Sequence, residues 1–155
     1  MLKRLTSLMI VLTCLSASCF ASDDTKPLQE FADFKAQHKG KVIYLDFWAS
    51  WCTPCRKSFP WMNDMQAKYQ QAGLVVVSVN LDSKRDNAIA FLQQTPADFH
   101  ILYDEKGLLA KQFKLKGMPS SYLFNREGEL VSAHTGFNGT KKVLYEQEIT
   151  QQLAQ

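Results

Sequence analysis

The chain has 155 residues, 46% of them apolar, and four cysteines. That length argues for a single domain with a sizeable core, and the composition excludes a disordered or low-complexity protein. With 18 Lys and Arg against 15 Asp and Glu, the net charge of +3 is too slight to point to nucleic acid or an anionic membrane as a partner.

Residues 1–21 read as a secretory signal. Lys3 and Arg4 form a basic start, and residues 5–15 are mostly apolar but too short for a spanning helix. Cys19-Phe20-Ala21 offers a cleavage point before Ser22. Removing this segment takes away two basic groups and no acidic one, which lowers the net charge from +3 to +1. It also leaves Cys52 and Cys55 as the only cysteines, so no separate disulfide framework is expected. The signal predicts a soluble periplasmic protein. Leu15-Ser16-Ala17-Ser18-Cys19 is also similar to a bacterial lipoprotein cleavage site, with its leucine one place too far from the cysteine; lipidation at Cys19 would anchor the same domain to a membrane.

Residues 22–26 are polar and read as a flexible lead-in to a domain over 27–155. Leu28, Phe31 and Phe34 recur at helical spacing over residues 27–38, with Lys39-Gly40 as a stop. Residues 42–48 form a continuous apolar strand broken only by Asp46. A helix follows Cys52, with Phe59, Met62 and Tyr69 on one face and Pro60 inside it, where a kink is expected. Residues 74–79 are a second buried strand. Residues 83–94 are an amphipathic helix with Ala88, Ile89 and Leu92 facing inward, 99–103 a short strand, and 107–113 a short helix. Tyr122-Leu123-Phe124, a turn at residues 125–128 and a return strand over 130–135 make a hairpin. Tyr145, Ile149 and Leu153 mark a closing helix. The early strands must be parallel and joined by crossovers, whereas the hairpin is antiparallel. The predicted fold class is α/β, a central mixed sheet with helices on both faces.

Trp51-Cys52-Thr53-Pro54-Cys55 carries the chemistry. Two cysteines separated by two residues, at the end of a strand and the start of a helix, can close a small disulfide ring. The helix N-terminus offers unpaired N–H groups and partial positive charge to the first sulfur, which favours the Cys52 thiolate. Cys52 is the expected nucleophile, at the exposed edge of the helix, and Cys55 lies one turn inside. A zinc or copper site would need further ligands, and His38, His100 and His134 are scattered singly. Arg56 follows the second cysteine where haem attachment would need histidine. No metal and no cofactor is expected. His100, His134 and the Lys141-Lys142 pair read as solvated or capping residues.

Asp46-Phe47-Trp48-Ala49-Ser50-Trp51-Cys52-Thr53-Pro54-Cys55, then Pro60, then Gly117-Met118-Pro119, strongly resembles the thioredoxin superfamily. The signal, the Ser58-Phe59-Pro60 after the motif and the long segment between Leu81 and Gly117 resemble its exported TlpA/ResA-like branch. The resemblance spans residues 27–153 and implies a thioredoxin fold and thiol–disulfide exchange. It implies that Pro119 is cis and lies against the disulfide, with the backbone of Met118 facing substrate. It makes Trp51, Thr53 and Pro54 the remaining substrate-contacting residues. Trp48 and Trp51 would wall the site with an apolar surface, or either, Trp48 more than Trp51, would be core. It gives Asp46 the role of passing a proton to and from Cys55. Thioredoxins place a lysine near that carboxylate, where Ser78 stands here. The ResA-like branch places its acid three residues after the second cysteine, where Ser58 stands.

Strong oxidants of this fold carry histidine beside the second cysteine, and Pro54 cannot stabilise a thiolate in that way. A reductant is therefore expected, nearer the roughly −270 mV of thioredoxin than the roughly −120 mV of DsbA. The resemblance implies disulfide-bearing periplasmic proteins as partners, a membrane thiol-electron transporter as the reductant, and a monomer. Two other functions fit this sequence less well. A thiol peroxidase would carry a Pro-x-x-x-Thr-x-x pattern before its cysteine, and neither Cys52 nor Cys55 has one. A copper metallochaperone would carry wider cysteine spacing and a dedicated histidine.

Overall fold

The computed structural model describes residues 25–155; the predicted signal, with Cys14 and Cys19, lies outside them. Helix α1 spans Lys26–Gln37, so Lys26 opens a helix rather than ending the lead-in, and Pro27 sits in the first turn, where no N–H is needed. Strand β1 is Val42–Trp48, with all seven residues buried. Helix α2 runs Thr53–Tyr69 with Pro60 inside it. A 3₁₀ turn at Gln70–Ala72 and Gly73 at φ 105° lead into β2, Leu74–Asn80. Then come α3 (Arg85–Gln94), β3 (His100–Tyr103), α4 (Leu108–Gln112), β4 (Ser120–Phe124), β5 (Leu130–Thr135) and α5 (Gly139–Leu153).

The strands form one sheet in the order β3-β2-β1-β4-β5. β1, β2 and β3 are parallel, and β4 is antiparallel to both β1 and β5. This places the ends of β1, β2, β3 and β5 and the start of β4 at one end of the sheet. The predicted mixed sheet is the one observed.

Side chains alternate across the pleat, so β1 serves two cores. Val42, Tyr44 and Trp48 join Cys55, Phe59, Trp61 and Met62 of α2 and Tyr145 and Ile149 of α5. Ile43, Leu45 and Phe47 pack with Phe31 and Phe34 of α1 and Leu109 of α4. Burying each such ring or branched chain stabilises the fold by about 1.5–3 kcal/mol. The rings of Trp48, Phe59 and Phe91 lie 4.7–5.0 Å apart directly behind the disulfide helix. Phe91 shows where the periodicity misled. α3 buries Ala88 and Phe91, Leu92 is half-buried, and Ile89 is 43% exposed. The aromatic side chain reaches the Trp48–Phe59 cluster, and that contact sets the helix rotation.

Arg126 ties the opposite end of the molecule. Its guanidinium donates to the carbonyls of Gly40, Ala72 and Leu153 at 3.1, 3.2 and 3.1 Å. Gly73 must be glycine both for its positive φ and because a Cβ there would come within 2.8 Å of Arg126 Nη1. Among the described residues no helix is long and apolar enough to cross a membrane.

Candidate active site

Cys52 is the N-cap of α2 and is disulfide-bonded to Cys55. The backbone N–H of Cys55 donates to Cys52 Sγ at 3.3 Å, so one of the helix's orphan donors is already spent on this sulfur. In the reduced state the same donor and the helix dipole favour negative charge on Cys52. Thr53 is exposed and Pro54 partly so, and both fill the first turn, where a missing N–H costs nothing. Cys52 is only 3% exposed and Cys55 fully buried, so in the oxidised protein the first sulfur does not stand at an open edge. Trp51 beside it is 71% exposed, whereas Trp48 is wholly buried, so of the two only Trp51 can wall the site and Trp48 is core.

A clamp that the sequence did not reveal holds the loop before Cys52. Asp82, just past β2, is 3% exposed. Its carboxylate accepts from the Ser50 N–H at 2.9 Å, from Ser50 Oγ at 2.8 Å and from Asn80 Nδ2 at 2.8 Å. Asn80 Oδ1 accepts from the Asp82 N–H at 3.0 Å. On the other side, Arg56 donates to the Ser50 carbonyl at 3.4 Å and lies over the Phe91 ring. Asp82→Ala would leave a donor on buried Asn80 and two on half-buried Ser50 without their partner, and an unpaired buried donor costs about 1–3 kcal/mol. Urea unfolding of the oxidised protein should show a loss of about 2–3 kcal/mol; a loss under about 0.5 kcal/mol, the usual range for a surface change, would mean that the clamp is slack.

Asp46 is 1% exposed, and its Oδ2 has no hydrogen-bond partner among the described residues. Burial pushes its carboxyl well above the usual range. It lies on the β1 face that carries Tyr44 and Trp48, toward the layer containing Cys55. In register beside it stand Ser78 of β2 and Ser121 of β4, both buried. Ser78 therefore does occupy the neighbouring-strand place, and its Oγ is likewise unpartnered. Burial, and then Asp46, raises the pKa of the Tyr44 hydroxyl, and Ser121 acts the other way. Among the described residues no cation lines this polar stripe. Ser58, in the place of the ResA-like acid, is buried and donates to the Cys55 carbonyl at 3.0 Å.

The second loop of the site leads into β4. The Met118–Pro119 bond is cis, Pro119 is buried, and Met118 is half-buried against the α2 core. Ser120 Oγ donates to the Gly117 carbonyl at 2.7 Å, and the Gly136 N–H donates to the Pro119 carbonyl at 2.7 Å. Tyr145 of α5 donates to the Gly136 carbonyl at 2.8 Å, bracing this loop from behind. His134 is not a solvated residue: it stacks on Tyr145 with ring centroids 4.3 Å apart and pairs with Glu148 at 2.6 Å. Lys141 donates to the Thr135 carbonyl, and His100 stacks on Phe34. No group of three or more metal-ligating side chains occurs among the described residues.

A family model described as AhpC/TSA family matches residues 19–133. The chain belongs to that family. Among curated relatives it is similar to the thiol-disulfide oxidoreductase ResA of Bacillus thuringiensis subsp. konkukian, 31% identical over 76% of this chain and 65% of that protein. It spans between 48% and 65% of the length of the curated relatives it matches. Among solved structures it is similar to a chain assigned as thiol:disulfide interchange protein DsbE from Chlorobium tepidum. That likeness is 50% identical over 76% of this chain and 84% of the other, with a TM-score of 0.75. StoA from Bacillus subtilis is 29% identical over 72% of this chain and 84% of its own, with a TM-score of 0.61. The fold is the thioredoxin fold, and within the family the kinship is with ResA-like thiol-disulfide oxidoreductases.

Proposed function

We propose that this family member is an exported thiol-disulfide oxidoreductase that reduces disulfides in periplasmic proteins through Cys52 and Cys55. The observation that carries the reading is the Cys52–Cys55 disulfide at the N-terminus of α2, in a chain half identical to the DsbE structure. In the reduced protein the Cys52 thiolate attacks one sulfur of a substrate disulfide. A mixed disulfide forms, and the other substrate sulfur leaves as a thiolate. Cys55 then gives its proton to Asp46 and attacks Cys52 Sγ, releasing the second substrate thiolate. The substrate gains two electrons and, from solvent, two protons, and the cysteine pair is left oxidised. Trp51, Thr53, Pro54 and Met118 form the surface on which the substrate chain lies, and buried Pro119 supports it from beneath. A membrane thiol-electron transporter restores the dithiol, since the compartment itself is oxidising.

The test is insulin reduction by catalytic protein with dithiothreitol, run beside hydrogen peroxide consumption and a copper titration. Acceleration of insulin reduction alone supports the reading. Fast peroxide turnover, or tight copper binding without reductase activity, would replace it with a peroxidase or a metallochaperone.

A further inference from the structure

We infer that the rim around Trp51 and the disulfide is a docking surface for an acidic polypeptide segment that carries the substrate disulfide. This rests on the oxidoreductase reading above and adds the charge class of its substrate. Three segments lie at the same end of the sheet as Cys52: residues 49–57, which hold the cysteines; residues 81–84, clamped to Ser50 through Asp82; and residues 113–119, which lead into β4 through Pro119. They expose Arg56, Lys57, Lys84, Lys114 and Lys116. None of these five forms an ion pair among the described residues. The only carboxylate in the three segments is Asp82, buried and occupied by the clamp.

The same bias holds over the whole active-site end of the sheet. Residues 49–57, 81–86, 104–107, 113–119 and 135–142 contain nine Lys and Arg against four Asp and Glu. Of those four, Asp82 and Asp104 are buried, and Glu105 is paired with Arg85 at 2.6 Å. The other described residues contain seven Lys and Arg against nine Asp and Glu. The molecule is thus nearly neutral in sum but polarised, with its cations gathered where a substrate must approach. A scatter of solvated charges would not sort itself by end. At this same end Trp51 offers an exposed apolar ring. Like charge gathered at the end that carries an apolar contact selects an opposite charge on the partner and speeds its encounter, by about tenfold or more at low salt.

The experiment uses three synthetic peptides with one common intramolecular disulfide loop, flanked by Glu, Ser or Lys. Their reduction by the reduced protein is followed in single turnover. At about 0.01 M salt, where screening reaches about 30 Å, the Glu-flanked peptide should react about tenfold faster than the Ser-flanked one, and the Lys-flanked one slower still. At about 1 M salt the three rates should converge. Lys57→Glu with Lys116→Glu should collapse the Glu-to-Lys rate ratio; Lys39→Glu with Lys41→Glu, the same charge change at the far end, should leave it intact. The ratio is taken within each variant, so a general loss of activity does not enter. Equal rates for all three peptides at low salt overturn the docking surface while leaving the oxidoreductase reading in place. No reduction even of the Ser-flanked peptide overturns both. Co-sedimentation with phosphatidylglycerol vesicles at low salt, without any ranking of the peptides, would assign the cations to a membrane surface instead.

Discussion

Cys52→Ser should abolish disulfide reduction, by on the order of a thousandfold or more, because no other sulfur in the site can start the exchange. Cys55→Ser should be nearly as slow in turnover, yet for the opposite reason. It retains the attacking thiolate and lacks the group that releases it, so it should accumulate mixed disulfides with substrate. The asymmetry follows from position. Cys52 is the N-cap and accepts the Cys55 N–H, whereas Cys55 lies inside the helix and is fully buried. In the reduced wild type, Cys52 should therefore ionise at a lower pH than a free thiol, and Cys55 at a higher one. Non-reducing gels of each variant with a disulfide substrate, and thiolate absorbance against pH, check both statements. Mixed disulfides trapped by Cys52→Ser through Cys55 would reverse the two roles.

The site was legible in the sequence to the extent that its chemistry is local. The cysteine pair, the strand before it and the helix after it are contiguous, and Asp46 stands out as a charge inside an otherwise apolar strand. Gly117-Met118-Pro119 was legible only through resemblance, since no periodicity places it beside Cys52; the β1–β4 pairing does. The Asp82 clamp was missed for a related reason. A carboxylate in a polar segment reads as solvated, and its partner Ser50 lies 32 residues away. A weak signal existed in the Asn80-Leu81-Asp82 run at a strand end, where short polar side chains turn back on the backbone. Ile89 failed because a single amphipathic turn cannot fix its own rotation. Phe91 fixes it through Trp48 and Phe59. His134 was read as solvated because its partners, Glu148 and Tyr145, belong to a helix that the hairpin meets only in three dimensions.

Asp46→Ala should leave a protein that is more stable and slower. Burial raises the Asp46 carboxyl in the folded state, and no cation or hydrogen bond to Oδ2 offsets it. An acid whose folded pKa lies above its unfolded value stabilises the fold most below the unfolded value, about 3.9, and that stability is lost as pH rises through the folded one. Removing it should therefore change little at about pH 4 and stabilise the oxidised protein by about 1–2 kcal/mol at about pH 8. The rate effect follows the same titration. Only ionised Asp46 can take the Cys55 proton, so at low pH wild type and variant lack the base alike. Above about pH 8.5 free thiols ionise unaided and hydroxide substitutes for it. Between these limits the variant should release substrate about tenfold or more slowly. The raised carboxyl places the deficit toward neutral pH rather than in the acid range. Asp46→Asn separates the two effects, since it keeps the side-chain volume and lacks the base. It should share the rate deficit while gaining less stability, because its amide also has to find partners in the stripe with Ser78 and Ser121. Thermal melts of the oxidised forms and a pH profile of mixed-disulfide resolution measure both quantities. A rate unchanged across the profile in both variants would reduce Asp46 to a buried structural group.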